Sequence, residues 1–354
     1  MKKTIAKVLA TGMVLSMTAA AGVTVNAEEE SYDIGICQLV QHPALDAATE
    51  GFKTALTDAL GDRVTFDEQN ASGDSATCST IVNTFVTNGV DLMLANATAS
   101  LQAAVSATGD IPILGTSVSV YSVALGVPDD QWTGSTGMNV SGTSDLAPLD
   151  EQAAMFAELL PEVKKVGIVY CSAEPNSVYQ ADTVKAALEE AGAECTVYTF
   201  ADSNDIASVV TKASEECEAL YIPTDNTAAS NTEVINNICE PAGIPIITGE
   251  EGICDGCGIA TLSIDYFDLG YKTGEMAVEI LEEGADPAAM EIAYAPEFVK
   301  KYDAERCEVF GIEVPEDYTA IGAEDETEAA SEDETEEAET EAAEETETAE
   351  TEEA

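Results

Sequence analysis

Positive charge is scarce in this chain: 13 lysines and arginines stand against 68 aspartates and glutamates among 354 residues, a formal net charge of −55. Such a polyanion repels phosphate backbones, so nucleic acid is excluded as a partner. Histidine occurs once, at His42, so no metal-binding histidine pair can form. A Ser-His-Asp order signature and a glycine-rich phosphate loop are also missing. Outside the N-terminus no apolar run reaches the ~18 residues of a membrane span. No cysteine precedes Cys37, and LSMTAAAG has alanine where a lipoprotein signal needs its acceptor. A lipid anchor and a metal cofactor are not expected.

The two ends of the chain differ from its middle. Residues 1–27 read as an export signal: Lys2, Lys3 and Lys7 form a basic region, VLATGMVLSM an apolar core, and VNA supplies small residues for cleavage at Ala27. The mature protein is therefore expected outside the cytoplasm. From 322 to 354 the chain is almost wholly Glu, Asp, Thr, Ala and Ser. Nothing there repays the entropy of ordering, so a disordered, solvated acidic tail is expected.

Between these ends, apolar runs of strand length at 64–66, 92–95, 111–114, 166–170, 195–200, 219–222, 244–248 and 259–264 alternate with helical patterns at 75–87, 149–160, 178–190, 206–214 and 269–281. That alternation predicts an α/β fold with parallel sheets covered by helices on both faces. The chain also repeats itself. VDLMLANATAS (90–100) echoes CEALYIPTDNTAAS (217–230), and each is followed by a matching strand start, DIPILG and GIPIITG. A repeat that occurs twice describes two Rossmann-like lobes rather than a solenoid. Ligands of such lobes meet the carboxyl ends of the strands. Loops 38–43, 96–100 and 116–119 of the first lobe would then face loops 171–180 and 223–227 of the second across one cleft.

The first of these loops carries Gln41-His42-Pro43 between a strand ending near Leu39 and a helix starting near Leu45. Proline restricts the loop, so Gln38 and His42 are held where a ligand could touch them. The plainer reading is a histidine that packs the helix start.

IGICQLVQHPALDAATEGFK, GTSDLAP, NSVYQ, YIPTDNT and IATLSIDYFDLGYKTGEMA resemble, in order and spacing, the substrate-binding proteins of ABC importers of the tryptophan/tyrosine type, over 32–318. The resemblance implies a type 1 periplasmic-binding-protein fold: two α/β lobes, joined by a three-crossing hinge, that close on a small solute. It places lobe 1 at 31–143 plus 266–299 and lobe 2 at 144–265 plus 300–321, with Asp145 and Asp265 at the hinge. It also implies a small-molecule solute, an amino acid with aromatics favoured, and an ABC permease as partner to a monomer. Two departures stand out. Glu-His-Pro of the family is Gln41-His42-Pro43 here, and Ser-Val-Thr-Asp-Pro is Ser117-Val118-Ser119-Val120-Tyr121, so two carboxylates near the cleft are lost and an aromatic is gained.

An amino acid needs donors for its carboxylate and an acid for its ammonium. Helix N-termini favour anions, which makes Thr98, Ser100 and Ser117 the carboxylate candidates. Asp225, with Asn226 beside it, is the ammonium candidate, although both residues are also good helix caps. Asn176, Ser177 and Gln180 line the same wall, and an aromatic side chain would lie toward Gln38, His42 and Leu45.

Cysteine is the rival signal. Nine cysteines are an odd number, and CDGC (254–257) has redox or half-zinc spacing. Its glycine and aspartate read as a turn before the strand 259–264, with a local disulfide or plain thiols, while Cys37, Cys171 and Cys195 fall on strand-like runs as core residues. Three function classes result: a non-catalytic solute receptor, an exported thiol enzyme using Cys254 and Cys257, and a sensing domain for a separate receptor. The first fits the sequence best.

Overall fold

The computed structural model describes residues 31–295 and 297–322. The export segment 1–27 and the acidic tail beyond Gly322 lie outside the described residues. The first half runs β1 (Tyr32–Gln38), α1 (Pro43–Leu60), β2 (Val64–Asn70), α2 (Ser75–Asn88), β3 (Leu92–Asn96), α3 (Thr98–Ala107), β4 (Ile113–Thr116), α4 (Tyr121–Leu125) and β5 (Val140–Ser144). The second runs α5 (Leu149–Leu159), β6 (Lys165–Cys171), α6 (Pro175–Glu190), β7 (Glu194–Phe200), α7 (Ile206–Glu216), β8 (Ala219–Ile222), α8 (Asn226–Ala229), α9 (Thr232–Ala242), β9 (Ile246–Thr248), α10 (Glu251–Cys257) and β10 (Ala260–Ser263). The chain closes with α11 (Tyr266–Glu283), β11 (Ala293–Tyr294), β12 (Val299–Tyr302), α12 (Ala304–Phe310) and β13 (Thr319–Ala320).

Two sheets result. One has the order β11-β5-β4-β3-β1-β2, and the other β13-β12-β10-β9-β8-β6-β7. Read from β2 and from β7, the first five strands of each follow the same plan, which is the structural form of the repeat in the sequence. All pairings are parallel except β10 with β12. The chain passes between the sheets three times, after β5, after β10 and after β11. These are the two lobes and three crossings of a type 1 periplasmic-binding-protein fold.

Strands buried on both faces explain the near-continuous apolar runs. In the first sheet Ile34, Ile36, Leu92, Leu94 and Leu114 pack against Phe52, Leu56 and Ile280. Their neighbours Cys37, Met93, Ala95 and Ile113 face the other way, toward Ile81, Phe85 and Leu101. The second sheet divides likewise, with Ile168, Tyr221 and Ile247 on one side and Val169, Phe200, Leu220 and Ile222 on the other. Each fully buried Ile, Leu or Phe contributes about 1.5–3 kcal/mol.

Helices α1 and α11 approach backbone to backbone, and glycine is what lets them. A Cβ on Gly270 would stand 1.9 Å from Ala48 O, and one on Gly51 2.0 Å from Phe267 O. Gly270→Ala is therefore expected to force the helices apart and cost about 1–3 kcal/mol. Urea unfolding of the variant checks this, and an unchanged midpoint would show that the contact yields without cost.

One local expectation fails. Cys254-Asp255-Gly256-Cys257 is not a turn but the body of α10. Glu250 caps that helix, its carboxylate accepting from Gly252 N (2.7 Å) and Ile253 N (2.5 Å), and this cap outweighs the local preference of glycine.

Candidate functional site

The loops at the carboxyl ends of the strands meet between the two sheets. In the first, β1 ends at Gln38 and α1 begins at Pro43, with His42 in extended backbone (φ −163°) at the N-cap position. Proline at the first helical position suits a helix start, since its missing N–H would have no partner there. Gln38 is spent inside this loop: Nε2 donates to Val40 O (2.9 Å) and Asp46 Oδ1 (2.6 Å), while Oε1 accepts from Thr49 Oγ1 (2.7 Å). It braces the loop rather than offering a free group.

His42 reaches the other sheet. Its Nε2 donates to Asn226 Oδ1 at 3.2 Å, across 184 positions of sequence. Asn226 Nδ2 donates in turn to Glu174 Oε2 (2.7 Å), and Glu174 also receives Asn226 N (3.0 Å), Thr227 N (2.9 Å) and Thr227 Oγ1 (2.7 Å). Glu174 is thus the organising carboxylate of the second sheet's loops. Sequence reading missed it, although an acid directly before Pro175 at a helix start was a usable signal. A second link runs from Gln180 Nε2 to Ser119 Oγ (3.1 Å), while Gln180 Oε1 holds Thr224 N (3.1 Å).

The remaining candidates divide. Thr98 and Ser117 are buried where β3 and β4 end. The backbone there is left-handed at two non-glycine residues, Ala97 (φ 85°) and Ser117 (φ 53°), a strain that clusters at functional sites. Ser177 Oγ donates to Thr224 O (3.4 Å) and Asn176 Nδ2 to the same carbonyl (3.0 Å). Ser100 is not brought to the loops. Its hydroxyl lies in the core between the Cys37 and Cys78 thiols. Asp225 is at the loops but fully engaged: Oδ1 caps α8 through Ala228 N (2.8 Å) and Oδ2 accepts from Cys171 N (2.7 Å). Of the two aspartates expected at the crossings, Asp265 only caps its own helix through Asp268 N (2.9 Å). Asp145 ties two crossings together, its Oδ2 accepting from Tyr266 OH (3.1 Å).

Five buried side-chain atoms among the described residues have no hydrogen-bond partner: His42 Nδ1, Asn96 Oδ1, Ser117 Oγ, Asp145 Oδ1 and Asn176 Oδ1. Unsatisfied buried groups are rare and costly. With His42 donating through Nε2, four of these atoms are acceptors and the fifth is a hydroxyl. Each of the five can accept a hydrogen bond.

Its electrostatics agree. Asp145, Glu174, Asp225 and Glu250 are buried, and no lysine or arginine is buried among the described residues. Burial, with Glu174 close by, pushes the Asp225 carboxyl up to about 8. Burial raises Asp145 and, with Glu251 and Asp145 close by, brings Glu250 to about 7, while burial lowers His42 and keeps the imidazole neutral. A separate groove of about 720 Å³ lies beside the crossings, between the starts of α1, α10 and α11; none of the five unpartnered atoms lines it. No group of metal-ligating side chains occurs among the described residues. No described helix is long and apolar enough to cross a membrane.

Two matched α/β sheets with a polar, cation-free junction between their strand ends define a protein of the binding-protein class. Residues 33–319 match the family described as ABC transporter substrate binding protein, and the chain belongs to that family. It is 38% identical over 253 residues to a tyrosine-binding protein of Clostridioides difficile (strain R20291), covering 71% of this chain and 72% of the relative. Among solved structures, an ABC domain in complex with L-Trp from Streptococcus pneumonia superposes with a TM-score of 0.77 at 31% identity, over 81% of this chain and 97% of that one. The ligand-free, open structure of a substrate-binding protein with adhesive properties from Clostridium difficile gives 0.62 at 35% identity, over 82% and 99%. The family is one of substrate-binding proteins rather than enzymes. Cys254 and Cys257 agree with that: both are buried and their thiols are pushed up by burial, the reverse of a reactive thiolate.

Proposed function

We propose that this protein is the extracytoplasmic solute-binding component of an ABC importer, a monomer that holds an amino acid, aromatic favoured, between its lobes and presents it to a permease. The carrying observation is the set of buried acceptors left without partners at the junction of the two sheets. An α-ammonium and the N–H or O–H of an aromatic side chain are the donors that would satisfy them. In this reading Asp145 Oδ1 takes the ammonium, because it is the buried carboxylate oxygen with a free valence. Ser117 Oγ and the Thr98 hydroxyl take the carboxylate. His42 Nδ1 and Asn176 Oδ1 meet the polar edge of the side chain, and Leu45 its apolar face. Gln38, Asp225, Asn226, Ser177 and Gln180 hold these groups in place.

The lobes 31–143 plus 266–299 and 144–265 plus 300–321 move as units about the crossings. Support for a closed arrangement comes from the His42–Asn226 and Gln180–Ser119 bonds. The comparisons point the same way, since the Trp complex superposes better than the open relative despite its lower identity.

Titration calorimetry and thermal unfolding of the full chain with tyrosine, tryptophan, phenylalanine, leucine and a sugar control test the proposal. An aromatic amino acid at about 100 times its Kd should stabilise the fold by roughly 2.7 kcal/mol, and small-angle scattering should show compaction on binding. Heat and stabilisation from the sugar alone would refute the amino-acid reading.

A further inference from the structure

All nine cysteines are unpaired and eight are buried, and solute binding uses none of them. Four of the thiols are turned to separate partners. Cys257 Sγ donates to Ile253 O (3.3 Å), Cys171 Sγ to Ala201 O (3.6 Å) and Cys307 Sγ to Ile259 O (3.5 Å), while Cys217 meets Tyr198 OH (3.5 Å).

Cys37 and Cys78 are different. Cys37 is the penultimate residue of β1, Cys78 lies in the first turn of α2, and they are 1% and 0% exposed. Both thiols meet one hydroxyl, Ser100 Oγ, at 3.7 Å and 3.6 Å. Two thiols on one hydroxyl, carried by elements already packed together, are close neighbours, the first requirement of a disulfide. We propose that Cys37 and Cys78 are a disulfide-forming pair that staples α2 to the strand leading into the Gln38–His42 loop.

The oxidant is a small-molecule disulfide. The neighbouring Cys37 thiol holds Cys78 down to about 7, while Cys78 and burial push Cys37 well up. Cys78 is therefore the attacking thiolate. It displaces one thiolate from the oxidant, which takes up the proton that Cys78 lost. Cys37 then loses its proton and attacks Cys78 Sγ, expelling the second half of the oxidant as a thiol. Two protein thiols give up two electrons and two protons, and the oxidant's disulfide becomes two thiols. Because both sulfurs are buried, exchange takes place while the chain folds or when the first turn of α2 lifts.

The test is to unfold the full chain, refold it in oxidised and reduced glutathione, alkylate, and map the peptides by mass. The expected result is one linked pair, the Cys37 and Cys78 peptides, lighter by two hydrogens, with a higher thermal midpoint than the same sample after reduction. Cys37→Ser and Cys78→Ser should each abolish the link, and Cys254→Ser with Cys257→Ser should leave it intact. If all nine thiols are alkylated after refolding, or if Cys37 and Cys78 join other cysteines, the proposal fails. It fails also if the oxidised chain melts no higher than the reduced one; the wild-type mapping decides the matter even if a variant does not fold.

Discussion

Asp225→Ala is expected to destabilise the protein by about 2–4 kcal/mol near pH 5, and by less as the pH approaches about 8. The carboxylate holds Ala228 N and Cys171 N, and removing it leaves two buried donors bare, each at a cost of about 1–3 kcal/mol. The pH dependence follows from the raised Asp225 pKa of about 8. A buried acid whose folded pKa lies above its unfolded value binds its proton more tightly in the fold. Its contribution is complete below the unfolded pKa and is lost as pH rises through the folded one. The parent therefore loses stability between pH ~4 and ~8 on account of this group, and the variant does not, so the difference between them narrows. Urea unfolding of both proteins at several pH values measures it. A gap that widens with pH would mean that Asp225 is stabilised as the anion.

Asp145→Asn is expected to act on binding instead. The amide keeps an acceptor for Tyr266 OH and puts an NH2 group where Asp145 Oδ1 now has no partner. An ammonium would lose a charge-assisted hydrogen bond of roughly 1.5–3 kcal/mol and meet a donor in its place, a loss of about ten- to hundred-fold in affinity. The ligand-free protein should be no less stable, because burial already raises this carboxyl and works against its charge. Calorimetry with whichever aromatic amino acid binds the parent, alongside thermal unfolding, separates the two effects. An affinity within twofold of the parent would remove Asp145 from the site, and a large fall in stability with unchanged affinity would make it a structural link between crossings.

These two aspartates show how far the sequence can be read. A carboxylate ahead of a helix has one chemistry whether its acceptors serve backbone N–H groups or a solute's ammonium, so PTDNT suggests both uses of Asp225. Only the approach of Cys171 N from β6 shows that no oxygen remains. Gln38 and Ser100 were candidates for the same reason, and in the structure one is consumed by Thr49 and Asp46 and the other lies between two thiols. Glu174 was overlooked because its importance lies in Asn226 and Thr227, about fifty positions further on.

What the chain's own pattern determined was whatever depends on neighbours in sequence. The α/β alternation comes from apolar periodicity, the paired strand orders from the internal repeat, and the place of the loops from strands that end in polar turns. Tertiary structure decided which polar groups are spent and which remain. A hydrogen bond is a property of two partners, and for His42 and Asn226 the partner lies 184 positions away on the other sheet. The helix at Cys254–Cys257 had a local signal of the opposite sense, and the buried Glu250 cap with packing around it prevailed, since a short helix draws its stability from burial more than from propensity.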